Sequence, residues 1–149
     1  MKRDPALSPL SHDHHQALFV AQQLRRATAG SVTEARSAFL AFWNGHGAAH
    51  FRLEEDILLP GYAPYGDPHH RLVALALCDH VEIRARAAAV AENSGISAAA
   101  LNELGVRLAE HVRLEERELF PLIEAALPPD QLAALGTARA ETERELDGG

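Results

Sequence analysis

The sequence predicts an all-α protein, an up-down-up-down four-helix bundle with a short C-terminal tail helix. Three observations predict it. Alanine and leucine dominate and β-branched residues are few, which favours helix over strand. Turn-forming residues are sparse and cut the chain into long segments with short connections, the condition for antiparallel neighbours in a bundle. The chain also repeats a two-helix unit, which implies a pseudo-twofold arrangement.

Taken in order, a first helix is expected over about 8–29, closed by Gly30. Ser31 and Glu34 form a Ser-x-x-Glu capping box that opens a second, over about 32–59. The run from Pro60 to Pro68, dense in proline and glycine, breaks the chain, and Asp67-Pro68 suits N-cap and N1 of a third helix, over about 68–92. Asn93-Ser94-Gly95 ends it. Ser97 opens a fourth over about 97–126, which Pro121 kinks or shortens and Pro128-Pro129 stop. Asp130 stands near the start of the tail helix, over about 129–145. Leu132, Leu135 and Leu146 give this tail an apolar side that docks on the bundle or on a second chain. The Ala-rich stretch Ala85–Ala91 and the segment from Glu141 to Gly149 read as solvated surface. All 149 residues are expected to form one domain, with the bundle core over about 8–127.

Composition excludes several classes. A single cysteine, Cys78, rules out an intrachain disulfide framework and a cysteine-built zinc or iron–sulfur site. A net charge of −7 argues against nucleic acid as a partner. No stretch approaches the roughly 20 apolar residues of a membrane span, and Met1-Lys2-Arg3-Asp4-Pro5 does not lead into the apolar region of a secretion signal, so a cytoplasmic location is expected. Histidine is the unusual residue, at nine.

The repeat sorts these histidines. His50-Phe51-Arg52-Leu53-Glu54-Glu55-Asp56-Ile57-Leu58-Leu59-Pro60 and His111-Val112-Arg113-Leu114-Glu115-Glu116-Arg117-Glu118-Leu119-Phe120-Pro121 are identical at seven of eleven positions, at an offset of 61. The preceding helices carry Asp13-His14 and Asp79-His80, at an offset of 66.

At 100° per residue, each helix places one histidine on its apolar stripe. His14 lies with Leu7, Leu10, Ala17, Leu18 and Ala21, and His80 with Val73, Ala76, Ile83 and Ala87. On the second helix Phe39, Trp43, His46, Leu53, Glu54 and Ile57 fall within about 60° of His50. On the fourth, His111 shares its stripe with Leu104, Leu108, Leu114, Glu115, Glu118 and Leu122. By the same count Glu55, Glu116 and His12 fall about 140–160° away and should face water.

A lone histidine on an apolar face is more often a hydrogen-bonded core residue than a ligand. Four, one per helix, with a glutamate one turn after two of them, point to a metal site, because buried carboxylates are costly unless paired or metal-bound. Arg84 and Arg107 are within reach of the interior, but neither belongs to the repeat. Asp13 and Asp79 either orient imidazoles from behind or are simply exposed. His46 is an extra ligand or lies just above the site, the second reading being preferred, and Glu118 is a candidate for a supporting place. His15, about 100° from His14, is the alternative ligand on the first helix. His12, His69 and His70 lie at or near helix starts and read as ordinary.

Six ligands of type N4O2 exceed one tetrahedral zinc and fit two ions bridged by carboxylates at roughly 3.5–4 Å. The mixed imidazole and carboxylate set points to non-heme iron, with zinc or manganese as substitutes. Positions remain for water, a bridging oxide or hydroxide, or a diatomic ligand.

The order of these motifs resembles the hemerythrin-like, or HHE cation-binding, domain family over about residues 8–127. The resemblance implies a four-helix bundle with a di-iron centre whose ligands are His14, His50, Glu54, His80, His111 and Glu115. The chain departs from oxygen-carrying hemerythrins, which have a second histidine one turn after the third helix's ligand, where Arg84 stands, and an aspartate on the last helix. These departures point away from reversible oxygen carriage. The leading expectation is therefore a small protein, monomer or homodimer, whose two iron ions bind or sense O2, NO or peroxide. Its alternatives are a peroxide-removing enzyme, with Tyr62 or Tyr65 as a redox-active phenol, and an iron-handling or metal-stabilised structural bundle.

Overall fold

The structure, a computed structural model, describes residues 2–148. Among the described residues it is a helical bundle of five helices with no strand. Helix α1 is Ser8–Arg25 and α3 is Arg71–Glu92. Helix α2 runs over 32–62. Its α-helical pieces Val32–Phe42, Ala48–Leu53 and Leu59–Tyr62 are joined by wide π-helical turns at Trp43–Gly47 and Glu54–Leu58. Helix α4 runs over 98–126, with Ala98–Leu114 and Phe120–Ala126 joined by a third such turn at Glu115–Leu119. Helix α5 is Pro129–Gly148. No helix among the described residues is long and apolar enough to cross a membrane.

The helix ends differ from the sequence expectation where another group satisfies the backbone. Helix α1 stops at Arg25, not near 29, because the Asn102 amide on α4 donates to the carbonyls of Leu24, Arg25 and Ala27. Ser31 sits at the N-cap of α2, but its hydroxyl accepts from the Thr28 amide, so the expected capping box does not form. The third helix starts three residues later than Asp67-Pro68 suggests. His70 caps it by accepting from the Leu72 amide at 3.0 Å, while Asp67 turns back on the His69 amide. Ser97 caps α4 as expected, accepting from the Ala100 amide.

Helix α1 packs most extensively against α4. Gly105 permits their close approach, since a Cβ there would lie 2.6 Å from the Ala21 carbonyl oxygen. The tail helix docks on its own bundle: Leu132 and Leu135 are buried and Leu146 partly so. It runs on through Gly148, beyond the expected end near 145.

The interior is two apolar clusters. One holds Leu24, Phe39, Phe42, Ile83, Val90, Leu101, Leu104 and Leu108. The other holds Leu7, Leu10, Leu53, Leu58, Tyr62, Val73, Leu119, Phe120 and Ile123, together with the tail leucines. On α1 and α3 the two are separated in the chain by His14 and by His80, and on α4 Glu115 lies between Val112 of the first and Leu119 of the second.

Candidate metal centre

His14, His50, Glu54, His80, His111 and Glu115 are each 5% exposed or less, so the structure brings all six predicted side chains into the interior. Their donor atoms fall into two groups. One is His14, His50, Glu54 and Glu115; the other is His80, His111 and the same two glutamates. Within each group the atoms lie within 4.8 Å of one another. The Nε2 nitrogens face the carboxylates. His14 Nε2 is 3.0 Å from Glu115 Oε1, His80 Nε2 3.0 Å from Glu54 Oε1, His50 Nε2 3.3 Å from Glu54 Oε2 and His111 Nε2 3.4 Å from Glu115 Oε2.

Each outward Nδ1 meets a second carboxylate. His50 donates to Asp13 at 3.1 Å, His111 to Asp79 at 3.0 Å and His80 to Glu55 at 2.5 Å, and His14 Nδ1 lies 3.2 Å from Glu116. A carboxylate only accepts, so the outward nitrogen carries the proton and the inward nitrogen is left to bind. The pattern follows the pseudo-twofold. Asp13 and Asp79 hold the histidine of their own half of the repeat, while Glu55 and Glu116 hold that of the other half. The orienting role open to Asp13 and Asp79 is the one they take.

The placing of Glu55 and Glu116 corrects the expectation that both face water. The cause is the π-helical turns. Leu59 donates to Glu54 and Phe120 to Glu115, five residues back, so each helix takes an extra residue just after its inward glutamate. The wide turn advances less than 100° per residue and swings the second carboxylate onto the flank shared with the next helix. Beyond it the apolar stripe slips by one residue. Leu58, Leu119 and Ile123 are buried, where the regular count favoured Ile57, Glu118 and Leu122. Glu118 is exposed and has no supporting role. The turn at Trp43–Gly47 likewise buries Gly47 and leaves His46 exposed. The signal in the sequence is Pro60 and Pro121, one residue after the five-back bond, where a proline without an N–H ends the regular ladder.

His15 is exposed, which leaves His14 as the inward residue of α1. Arg107 is exposed and pairs with Glu82, whereas Arg84 reaches Glu55. Tyr62 is buried, but its hydroxyl accepts from the Asp67 amide and closes the loop after α2. Tyr65 is exposed.

A cavity of about 20 Å³ adjoins the centre. Its walls are the His14, His50 and His111 edges, Phe42, Trp43, Gly47 and Leu108, with His46 at the rim. Neither tyrosine borders it.

The electrostatics fit a cation. Burial pushes the His50 and His111 imidazoles down, but the charges of Glu54 and Glu115 and the bonds to Asp13 and Asp79 prevail and raise both to about 10. His80 is raised to about 9 against the same burial, through its contacts with Glu115 and Glu54, and His14 is also raised, by Glu115 and Glu116. Burial pushes the Glu115 carboxyl up, yet His111, His14 and His80 hold it well below the usual carboxylate range. Thus without a cation the glutamates are balanced by protons on the imidazoles. Even so, Nε2 of all four histidines, both Glu54 oxygens and Glu115 Oε1 are buried with no hydrogen-bond partner among the described residues. Converging, unpartnered nitrogen and oxygen donors are what a metal ion satisfies.

Fold and site together define an all-helical protein with a buried histidine–glutamate metal-binding centre. The family model described as hemerythrin HHE cation binding domain matches residues 7–123. The chain belongs to that family. No curated protein and no solved structure matches it significantly.

Proposed function

We propose that the chain is a di-iron protein that binds or senses a small ligand, O2, NO or peroxide. The observation that carries this reading is the pair of donor groups sharing both glutamates, with an apolar-walled cavity beside them that His14, His50 and His111 line. His14 and His50 would hold one ion and His80 and His111 the other, with Glu54 and Glu115 offering oxygens to both. Two irons supply redox and ligand-binding chemistry that imidazole and carboxylate donors suit. The protein supplies the rest. Asp13, Asp79, Glu55 and Glu116 orient the imidazoles through Nδ1. Phe42, Trp43 and Leu108 exclude bulk water. A cavity of about 20 Å³ beside the donors has room for a small molecule such as water or a diatomic. A substrate of ordinary metabolite size does not fit.

The test is anaerobic reconstitution with ferrous ion, elemental analysis of the desalted protein, and visible spectra on addition of O2, NO or peroxide. Two irons per chain with a ligand-dependent spectrum support the reading. Zinc taken up in preference, with no response to any of the three, would make the chain a metal-stabilised bundle. Peroxide consumed faster than by free iron would make it an enzyme.

A further inference from the structure

His14 and His80 are finished alike by residues that the repeat does not relate. Arg84 Nη1 donates to both oxygens of Glu55, at 3.0 and 2.8 Å, and Glu55 accepts from His80 Nδ1. The same guanidinium lies 5.7 Å from the centre of the Phe51 ring, which stacks on His80 at 3.8 Å and 8°. On the other side, Arg3 donates to the Glu116 main-chain oxygen at 2.7 Å and lies 3.9 Å from its carboxylate, which faces His14 Nδ1. Arg3 also lies 5.5 Å from the centre of the Phe120 ring, which stacks on His14 at 5.3 Å and 17°. Its second anchor is Glu124.

Duplication does not account for this likeness. At the offset of 61, Phe51 corresponds to Val112 and Phe120 to Leu59. At the offset of 66, Arg84 corresponds to Leu18, and Arg3 precedes α1 altogether. The same set of arginine, glutamate, phenyl ring and imidazole is thus assembled twice from unrelated positions. Neither Asp13 nor Asp79, which hold the other two histidines, pairs with an arginine among the described residues.

We propose that Arg3 and Arg84 are matched positioning residues of the metal centre, one for each ion. Arg84 holds both oxygens of the carboxylate behind His80, while Arg3 pins the Glu116 main chain and stands 3.9 Å from its carboxylate, whose Oε2 also accepts from the Ser11 hydroxyl at 2.8 Å; each arginine lies over the ring that covers its imidazole. Arg3 acts through Glu116 on His14, and Arg84 through Glu55 on His80. Partly exposed ion pairs contribute little to stability. The carboxylate behind a ligating histidine, by contrast, typically alters metal affinity about 10–100-fold. The effect of these arginines therefore falls on the metal and not on the fold.

This proposal rests on the two-metal reading. The test is a cobalt(II) titration of the full chain, followed by its visible absorption, in R3Q, R84Q, E116Q, E55Q and their pairs. R3Q and R84Q should each weaken one of the two binding steps by about 10–100-fold and leave the other within about twofold. R3Q/E116Q and R84Q/E55Q should be no worse than the glutamate variant alone, whereas the crossed pair R3Q/E55Q should be additive. The melting temperature of the metal-free protein should stay within a few degrees. R3K and R84K keep the charge without the fork and should recover part of the loss; they replace the glutamine variants in the cycle if those lose helix content. Additive effects within R3Q/E116Q and R84Q/E55Q, or unchanged binding in both arginine variants, overturn the proposal. A wild-type chain that takes up fewer than two cobalt ions overturns the two-metal reading instead.

Discussion

Around His14, His50 and the edge of His111 the wall of the centre opens on a cavity of about 20 Å³ bounded by Phe42, Trp43 and Gly47. His80 does not line it. The Phe51 ring lies flat on the imidazole at 3.8 Å, with the Arg84 guanidinium above it. Both sides use two histidines and the same pair of glutamates. The difference shows that symmetry of the donors does not make the two proposed positions chemically equal. Access is decided by the side chains behind the donors. At the offset of 61, Gly47 corresponds to Leu108, so one half of the repeat carries a glycine where the other carries a leucine, and both border the cavity.

The largest effects should erase the comparison. Glu54→Ala or Glu115→Ala removes a donor from both groups, and metal content should fall from two ions per chain toward none, measured by elemental analysis after desalting. His14→Ala and His80→Ala should each lose one ion. Only the first should abolish the ferrous NO spectrum, because the second leaves the cavity side intact.

A smaller effect should be confined to the open side. A Cβ on Gly47 would lie 2.8 Å from the Trp43 ring and 2.9 Å from Phe42. Gly47→Ala should close the cavity and slow NO association about tenfold, about 1.4 kcal/mol on the barrier. Metal content should be unchanged. Stopped-flow mixing with the ferrous protein measures it, and an unaltered rate would place the ligand's path elsewhere.

Asp13→Asn and Asp79→Asn should treat the two sides alike, since each aspartate accepts from one ligating imidazole at nearly the same distance, 3.1 and 3.0 Å. Each should lower affinity for one ion by about 10–100-fold in competition with a chelator. Unequal losses would carry the asymmetry inward from the cavity to the donors.

The mildest test is pH. In the metal-free protein the imidazoles of His50 and His111 are raised to about 10 and that of His80 to about 9. A raised folded-state value stabilises the fold fully below the ordinary histidine value near 6.5, and the contribution is lost as pH climbs through about 9–10. The urea midpoint of metal-free protein should therefore fall between pH 7 and 10. Metal uptake runs the other way. It releases those protons, so affinity should rise with pH over the same range.

The inward histidines and glutamates are legible in the sequence because His50–Glu54 and His111–Glu115 each end where a wide turn begins, so no wide turn separates the two residues of a pair, and His14 and His80 lie in helices without one. A constant 100° step holds within each pair and fails after it. Hence the regular count points Glu55 and Glu116 to water and Glu118 inward, where Leu119 lies instead. The proline one residue after each five-back bond was visible, but it reads equally as a kink or a stop. Arg3 and the choice of the tail helix between its own bundle and a second chain lie outside the pattern for another reason. Their partners are more than a hundred residues away or are set by packing, as with Arg3 on Glu116 and Glu124.

The polar layer that divides the two apolar clusters also bears on how the chain melts. Each cluster has its own large buried side chains, Phe39, Leu101 and Leu104 in one, Leu119, Phe120 and Ile123 in the other. Between them stand carboxylates and imidazoles that balance only through protons or a cation. A bound ion ties four helices at one level, and local opening at either end must then pull against it. Stripped of metal, the same layer keeps its buried donors unpartnered, and hydrogen exchange should find local opening of the metal-free chain eased first beside it.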